Sequence, residues 1–304
     1  MSYAVVFAGQ GSQHAEMMPW LSTDAFDTLA IFEMEKTLGA AWRTTLRSEA
    51  LRTENRFAQP LMTGTSLAAW ETLKPHLPCL PAAVAGYSVG EIAAYACAGV
   101  LSIPQAIHLA NVRADLMDRA AKGQVAGLMS VSGLSVERIV QQFKNLSCAI
   151  LIDYDHAIFG ALNDDLDVAQ MKLSGAGAIC NRLGIGVASH TPMMACASSE
   201  FAEVLNTATF LVPNFPIVVN ARARLCRRVD ELKSALSTQI STTIDWASCM
   251  DALAESGINC VLEIGPGRAL ATMWNRRHPA IPARSLEDFR DPRGAARWID
   301  RSVG

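Results

Sequence analysis

A serine flanked by glycines lies where a short apolar run meets an alanine-rich one. The motif Gly86-Tyr87-Ser88-Val89-Gly90 follows a predicted strand at 82–85 and precedes a predicted helix at 91–99. This strand–turn–helix context is typical of a nucleophile elbow, in which a sharp turn exposes the serine hydroxyl. The turn also places the N–H of Val89 at a helix N-terminus, where it can stabilise an oxyanion. We therefore predict that Ser88 is a nucleophile; the alternative is a turn serine that only caps the helix.

A serine nucleophile needs a base, and the chain contains six histidines. His190 lies in Ser189-His190-Thr191-Pro192, between a strand-like run and a predicted helix. Residues at the end of an element often project into a site, so this position favours a catalytic role. His76 and His278 lie in polar, proline-flanked segments, and His108 lies within a predicted helix. We predict that His190 is the base, with a structural histidine as the alternative.

Two further features could assist a serine nucleophile. The turn Gly9-Gln10-Gly11-Ser12-Gln13 follows the first predicted strand, and its backbone amides could hold an oxyanion or simply form an ordinary tight turn. Arg113 lies among apolar residues of a predicted helix. A buried arginine needs an anion, and its planar fork suits a carboxylate. The alternative is a surface arginine paired with Asp115 or Asp118.

The composition excludes several classes of protein. Of the 304 residues, 50% are hydrophobic and 18% are charged, which excludes bulk disorder and allows about two domains. A net charge of −3 without a long basic run argues against nucleic-acid binding. The eight cysteines show no C-x-x-C spacing, so no metal site is expected. The N-terminus lacks the basic segment of a signal peptide, and Pro104 interrupts the uncharged stretch 92–112. We expect a cytoplasmic protein without a membrane span.

The elements that must position these residues follow from the hydrophobic periodicity. On both sides of a central segment the chain alternates between predicted strands, at 3–7, 82–85, 217–220 and 260–264, and predicted helices, at 25–38, 58–73, 91–99, 104–121, 192–207, 230–240, 246–256 and within the last twenty residues. The central segment has the order β-α-β-β-α-β, with strands at 125–132, 148–152, 157–161 and 178–187 and helices at 135–143 and 163–174.

This order predicts an α/β fold in two parts. A large α/β-hydrolase-like domain would comprise residues 1–123 and 189–304, and a small ferredoxin-like subdomain, residues 124–188, would be inserted into it. Asn163 is a plausible N-cap of the second helix of the insertion. The candidate serine and histidine lie on opposite sides of the insertion, so we expect the site where the two parts meet.

Five motifs, taken in order, resemble those of the malonyl-CoA:acyl carrier protein transacylase family. They are Phe7-Ala8-Gly9-Gln10-Gly11-Ser12-Gln13, Gly86-Tyr87-Ser88-Val89-Gly90-Glu91, Val112-Arg113 to Met117, Ser189-His190, and Gln239 with Trp246 and Glu263-Ile264-Gly265-Pro266-Gly267. The order and the spacing agree from residue 3 to about residue 275, which is far more specific than any single motif.

The resemblance implies ping-pong transfer of a malonyl group from malonyl-CoA to the thiol of a carrier protein's phosphopantetheine-type arm. It implies no bound cofactor, and its partners are a CoA thioester and an acyl carrier protein. The roles that it implies for individual residues are nucleophile for Ser88, base for His190, base orientation by a main-chain carbonyl near Gln239, oxyanion-hole amides for Gln10 and Val89, and malonyl-carboxylate binding for Arg113.

Some details resemble one branch, the epsilon subunit of malonate decarboxylase, which loads malonyl onto the decarboxylase's own carrier subunit through a dephospho-CoA-derived arm. These details are Ile244-Asp245-Trp246, Val187-Ala188-Ser189-His190-Thr191-Pro192 and Arg284-Ser285-Leu286-Glu287-Asp288-Phe289. In addition, residues 152–156 lack the asparagine that transacylases often have there. We expect this branch. The alternatives are a fatty-acid or trans-acting polyketide malonyl transacylase, a serine esterase with Asp153, Asp155 or Asp164 as its acid, and a non-catalytic scaffold subunit.

Overall fold

The computed structural model describes residues 2–18 and 28–304. The strands of this part of the chain are β1 (Tyr3–Phe7), β2 (Ala83–Gly86), β3 (Ala126–Ser132), β4 (Ser147–Asp153), β5 (His156–Leu162), β6 (Ile179–Arg182), β7 (Ile217–Val219), β8 (Arg224–Cys226), β9 (Ile244–Asp245), β10 (Cys260–Ile264) and β11 (Ala283–Ser285).

The α-helices of the described residues are α1 (Leu29–Leu38), α2 (Trp42–Leu46), α3 (Glu49–Arg52), α4 (Asn55–Leu73), α5 (Gly90–Cys97), α6 (Ile103–Ala121), α7 (Val136–Gln142), α8 (Asn163–Gly175), α9 (Ala195–Thr207), α10 (Val229–Thr238), α11 (Trp246–Ala254), α12 (Ala269–Arg277) and α13 (Pro292–Val303). Short 3-10 helices cover Lys74–His76, Pro192–Met194 and Leu286–Asp288.

The larger sheet has the strand order β11-β10-β1-β2-β7-β8. All neighbouring pairs are parallel except β7 and β8, which pair antiparallel at one edge. Along β1, Tyr3, Val5 and Phe7 pack into one core layer, whereas Ala4 and Val6 pack into another on the opposite face. The sheet is therefore covered on both faces, which explains why its strands read as continuous apolar runs. The predicted α/β fold is confirmed.

The smaller sheet has the order β6-β3-β5-β4-β9. Its first four strands come from one β-α-β-β-α-β unit and pair antiparallel, as predicted for the ferredoxin-like subdomain. β9 comes from outside the segment 124–188 and pairs parallel to β4, with Ile150 opposite Ile244. The sequence did not predict β9, because two residues are too short to show a strand period. The boundaries assigned to the two parts stay a prediction.

Several predicted elements differ in detail. The helix predicted from residue 25 is described from Leu29 onward, and residues 25–27 lie outside the described part. Asn163 is not an N-cap: Leu162 occupies that position, and Asn163 Oδ1 accepts a hydrogen bond from Arg182 instead. The strand predicted over 178–187 spans only Ile179–Arg182, because its pairing with β3 ends there.

The uncharged stretch 92–112 forms parts of two separate helices, α5 and α6, with a break at Ala98–Ser102. The break arises because Gly99 adopts a left-handed backbone, with φ of +80°, and Ser102 caps the start of α6. Within residues 2–18 and 28–304, no helix combines the length and the apolar character that crossing a membrane requires.

Candidate active site

The turn between β2 and α5 carries Ser88 at the carboxyl edge of the larger sheet. Ser88 has a φ of +55°, a left-handed conformation that is uncommon for a residue with a side chain. The turn is possible because its neighbours are glycines: a Cβ on Gly90 would lie 2.4 Å from the carbonyl oxygen of Phe7. The chain before the serine remains tied to β1, since Tyr87 N–H donates to the same Phe7 carbonyl at 2.9 Å. The elbow therefore packs directly against the end of β1.

We expect Gly90→Ala to lower the free energy of unfolding by about 3 kcal/mol or more, because the new methyl group would collide with fixed backbone. Gly175→Ala is the matched control. Gly175 ends α8, and a Cβ at this position would meet no described atom within 4 Å outside its own stretch of chain, so alanine should be neutral or gain about 0.5 kcal/mol. Urea denaturation of both variants checks this. A cost below about 1 kcal/mol at Gly90 would show that the elbow tolerates a side chain.

The structure brings Ser88 and His190 together across the insertion. Ser88 Oγ lies 2.7 Å from His190 Nε2, and His190 Nδ1 lies 2.5 Å from the carbonyl oxygen of Gln239. A carbonyl can only accept, so Nδ1 carries the proton in the neutral ring and Nε2 is left to accept the serine proton. His190 also has a positive φ of +61°, and its N–H donates to the carbonyl of Ile240 at 2.8 Å. The adjacent carbonyls of Gln239 and Ile240 thus orient both the ring and the backbone of His190.

The surroundings of His190 keep its imidazole neutral. Burial and the nearby Arg113 guanidinium lower the pKa of His190 to about 3, against a smaller opposing effect of the Gln239 carbonyl. A neutral imidazole at physiological pH is the form that a general base requires. None of the candidate aspartates serves as its acid: Asp153 and Asp155 pair with arginines of α12, and Asp164 lies in the first turn of α8. The triad expected for a serine esterase is therefore absent from the described residues.

The lowered pKa predicts an unusual pH profile for acylation. Protonation inactivates the base, so activity should be lost only as the pH falls towards the pKa of His190, about 3. We expect kcat/KM for acylation to stay within about twofold from pH 7.5 to 5.5, whereas an ordinary histidine of pKa about 6.5 would lose about tenfold. Initial rates across this range test the prediction, with activity remeasured at pH 7 after each incubation. A tenfold fall with a midpoint near 6.5 would contradict it.

Arg113 is buried, with 1% of its surface exposed. Its Nη1 donates to Gln59 Oε1 at 2.7 Å, and its Nη2 lies 3.4 Å from both Ser88 Oγ and Gln239 Oε1. Burial lowers the pKa of Arg113 to about 10, so the guanidinium remains charged at neutral pH.

No carboxylate of the described residues forms an ion pair with Arg113. Asp115 pairs instead with Arg56, at 2.6 Å, and Asp118 lies 4.0 Å from the same guanidinium. The surface alternative for Arg113 is therefore wrong. A buried cation beside the candidate nucleophile suits an acyl group that ends in a carboxylate.

The two predicted oxyanion donors lie at the expected turns. Val89 is the N-cap of α5, and Gln10 lines the same small cavity as Ser88. The turns approach closely because Gly9 has no side chain: a Cβ there would lie 2.4 Å from the carbonyl oxygen of Tyr87. The Gln10 side chain points elsewhere, with Nε2 donating to the carbonyl of Thr53 at 3.1 Å. The assignment of the two backbone amides to an oxyanion hole stays a prediction.

Gln239 contacts all three of the central residues. Its carbonyl accepts from His190, its Nε2 donates to the carbonyl of Ser88 at 3.1 Å, and its Oε1 lies near Arg113. The side chain is fully buried. The family resemblance implied that a main-chain carbonyl near this position orients the base; the contacts of the side-chain amide were not predicted.

The cavity at Ser88, of about 40 Å³, adjoins a second one of about 360 Å³. Both lie between the larger sheet and the small subdomain, and they share the lining residues Gln10, Tyr87, Ile158, Leu183 and Ile185. The shared lining is mostly apolar. It suits a largely apolar ligand segment that reaches the serine through the larger cavity.

Sequence reasoning missed three buried polar residues around this site: Gln59, Glu91 and Asn220. Gln59 accepts a hydrogen bond from Arg113. Asn220 accepts one from the N–H of Ser88, and Glu91 accepts one from the N–H of Asn220. Local sequence gave no distinct signal for Gln59, because α4 contains several other polar side chains. Nothing local marks Asn220, because its contact with Ser88 spans 132 residues of sequence.

A serine–histidine pair at the end of a parallel sheet, beside a buried arginine, suits acyl transfer through a serine ester. Residues 4–276 match the acyl transferase domain family, and the chain belongs to that family; it is an acyltransferase. It is 26% identical to a malonyl CoA-acyl carrier protein transacylase of Haemophilus influenzae, over 94% of this chain and 95% of the relative.

Two solved structures are also similar. One is a malonyl-CoA:acyl carrier protein transacylase from Xanthomonas oryzae pv. oryzae, with 26% identity, a TM-score of 0.89 and coverage of 99% of this chain and 98% of that chain. The other is a malonyl-transacylase in complex with its type II PKS acyl-carrier protein, with 25% identity, a TM-score of 0.90 and coverage of 99% and 100%. The likeness therefore extends over the whole of both chains.

Proposed function

We propose that this acyltransferase moves a malonyl group from malonyl-CoA to the thiol of a carrier protein. The observation that carries the proposal is the buried Arg113, which lies beside Ser88 Oγ and has no ion pair with a described carboxylate. A malonyl carboxylate would supply the anion, whereas an acetyl group would leave the cation unpaired. The relatives named above support the same substrate.

In the first half-reaction, Ser88 Oγ attacks the thioester carbonyl carbon while its proton passes to His190 Nε2. The carbonyl oxygen becomes an oxyanion, which the amides of Gln10 and Val89 stabilise. The tetrahedral intermediate then expels the CoA sulfur, which takes the proton from His190 and leaves as CoA thiol. The malonyl group remains as an ester on the serine, with its free carboxylate on Arg113.

In the second half-reaction, the thiol of the carrier arm gives its proton to His190 and its sulfur attacks the malonyl-serine carbonyl. Collapse of the intermediate expels Ser88 Oγ, which recovers the proton from the imidazolium. The products are a malonyl thioester on the carrier and free enzyme. The proposed steps need no bound cofactor beyond the carrier's own arm.

Two carriers are candidates for the acceptor. The relatives support a free-standing acyl carrier protein of fatty-acid or polyketide synthesis. The residues that favoured the malonate decarboxylase carrier have local structural roles: Asp245 caps α11, and Ser285 with Asp288 forms a capping box. We therefore place acyl carrier protein first. The decarboxylase carrier is the second candidate, and it rests on the wording of residues 244–246 and 284–289.

Intact mass spectrometry of the purified protein tests both the transfer of a malonyl group and the identity of the acceptor carrier. Incubation with malonyl-CoA should add one malonyl group to the enzyme, and each carrier, bearing its own arm, is then offered in turn. Failure to form any adduct would overturn malonyl transfer and revive a scaffold role. If the enzyme loaded the decarboxylase carrier faster than acyl carrier protein, the decarboxylase carrier would be the acceptor. Rapid hydrolysis of neutral esters would instead indicate an esterase.

A further inference from the structure

The side-chain amide of Asn220 holds the elbow turn through two hydrogen bonds to its backbone, which we call the clamp. Its Oδ1 accepts the N–H of Ser88 at 2.9 Å, and its Nδ2 donates to the carbonyl of Gly86 at 2.7 Å. The side chain is 1% exposed, so water does not compete for these groups. One amide thereby holds the backbone on both sides of Tyr87.

The position of Asn220 explains this contact. β2 and β7 pair in parallel, with Val84 opposite Ile217 and Ala85 opposite Val218. Beyond this pair β2 turns sharply into the elbow, so its backbone groups leave the ladder and require other partners. Asn220 directly follows β7, and its side-chain amide supplies the donor and the acceptor that a continued strand would have offered.

Asn220 is itself fixed by Glu91 on α5. The N–H of Asn220 donates to Glu91 Oε1 at 3.2 Å, and the Tyr95 hydroxyl lies 3.3 Å from the same oxygen. Tyr95 also lies 3.0 Å from the carbonyl of Leu232. The side chains of Asn220, Glu91 and Tyr95 are all buried. Burial raises the pKa of Glu91 to about 8, and a glutamine at this position would keep the side-chain oxygen that accepts from Asn220.

We propose that Asn220 and Glu91 are positioning residues for acyl transfer: Asn220 holds Ser88 in its left-handed conformation, and Glu91 holds Asn220. The left-handed backbone is strained, and it persists only where neighbouring groups fix it. Without the clamp the serine would relax, and its Oγ would move out of line with His190 Nε2. This inference rests on the proposed role of Ser88 as nucleophile.

The test compares Asn220→Ala and Asn220→Asp with Asn214→Ala, a matched control at an exposed asparagine near the same strand. Each full-length variant is assayed for single-turnover malonylation, for KM, and for labelling by a fluorophosphonate, which reacts with an activated serine and needs no carboxylate site. Thermal unfolding verifies that each variant is folded. Asn220→Asp keeps the acceptor for Ser88 and loses the donor to Gly86, so it remains informative if the alanine variant does not fold.

We expect Asn220→Ala to slow malonylation and fluorophosphonate labelling together, by about 100-fold, with KM changed less than about threefold. Asn220→Asp should lose about tenfold, and the control should match the parent. A folded Asn220→Ala protein with both rates within about threefold of the parent would overturn the inference. So would a loss confined to malonyl-CoA, because that pattern indicates an effect on substrate binding.

A second pair of variants tests Glu91 by rescue. Glu91→Gln keeps the acceptor for Asn220 and should retain the labelling rate within about threefold, whereas Glu91→Met should lose about tenfold. Equal rates for the two variants would remove Glu91 from the proposal. The outcomes are separable from the proposed function: if the parent forms no malonyl adduct, malonyl transfer fails, and if the parent is charged while Asn220→Ala equals it, only this inference fails.

Discussion

Ser88→Ala is expected to abolish the malonyl-enzyme adduct and to lower carrier loading by at least about 10⁴-fold. The reason is that the hydroxyl lies 2.7 Å from the Nε2 of a neutral, buried His190, and no other hydroxyl of the described residues occupies that position. Intact mass after incubation with malonyl-CoA measures the adduct, and carrier loading is followed separately. The alanine variant should fold normally, because the contacts of its backbone N–H and carbonyl with Asn220 and Gln239 remain.

The chain offers a matched control for this loss. Ser130 Oγ also lies near a histidine nitrogen, 3.1 Å from His156 Nε2, on the small sheet. Among the described residues, no buried arginine lies within hydrogen-bonding reach of that pair, and Ser130 lies within a strand and not at a helix N-terminus. Ser130→Ala should therefore retain the full adduct. If the adduct survived in Ser88→Ala and disappeared in Ser130→Ala, the nucleophile would have to be reassigned.

Arg113→Ala is expected to lower kcat/KM for malonyl transfer by about 10²- to 10³-fold while changing acetyl transfer less than about threefold. The malonyl carboxylate would lose the Arg113 guanidinium, a bidentate donor that is already desolvated and is oriented by Gln59 at 2.7 Å. An acetyl group makes no such contact, so its transition state loses little. Parallel assays with malonyl-CoA and acetyl-CoA on one enzyme preparation measure the ratio.

Two further variants separate charge from geometry. Arg113→Lys keeps the positive charge and loses the planar fork, so malonyl transfer should fall by about tenfold only. Arg119→Ala removes an exposed arginine from the same helix, α6, where it pairs with Glu200, and should leave both rates unchanged. Equal losses of malonyl and acetyl transfer in Arg113→Ala would show that the arginine supports the fold of the site and does not select the acyl group.

Much of this arrangement could be predicted from local sequence. Ser88 lies in a segment whose glycine spacing indicates the elbow directly, and the order of elements in 124–188 predicted the small sheet. The local signal for His190 was weaker, because only its place at the junction of two elements distinguished it from the five other histidines. The strands β8, β9 and β11 span three residues or fewer and were not predicted, whereas β7 is equally short and was predicted at 217–220.

What could not be predicted depends on contacts between distant segments. The amide of Asn220 meets the elbow across 132 residues, and the side chain of Gln239 meets Ser88 across 151. The burial of Arg113 followed from how α4 and α6 pack, with Gln59 supplying the contact, and not from the arginine's own neighbours in sequence. Sequence patterns identify the chemical groups, whereas the pairing of strands and the packing of helices decide which of them meet.

The two-residue strand β9 matters for anyone who builds chimaeras of this enzyme. Gln239 and Ile240 hold the His190 ring and backbone, and the same stretch of chain then enters the small sheet as β9, beside β4. Exchange of residues 124–188 alone would give β9 a foreign neighbour and would strain the segment that aims the base. A subdomain graft should therefore carry residues 239–245 with it as part of the transplanted module.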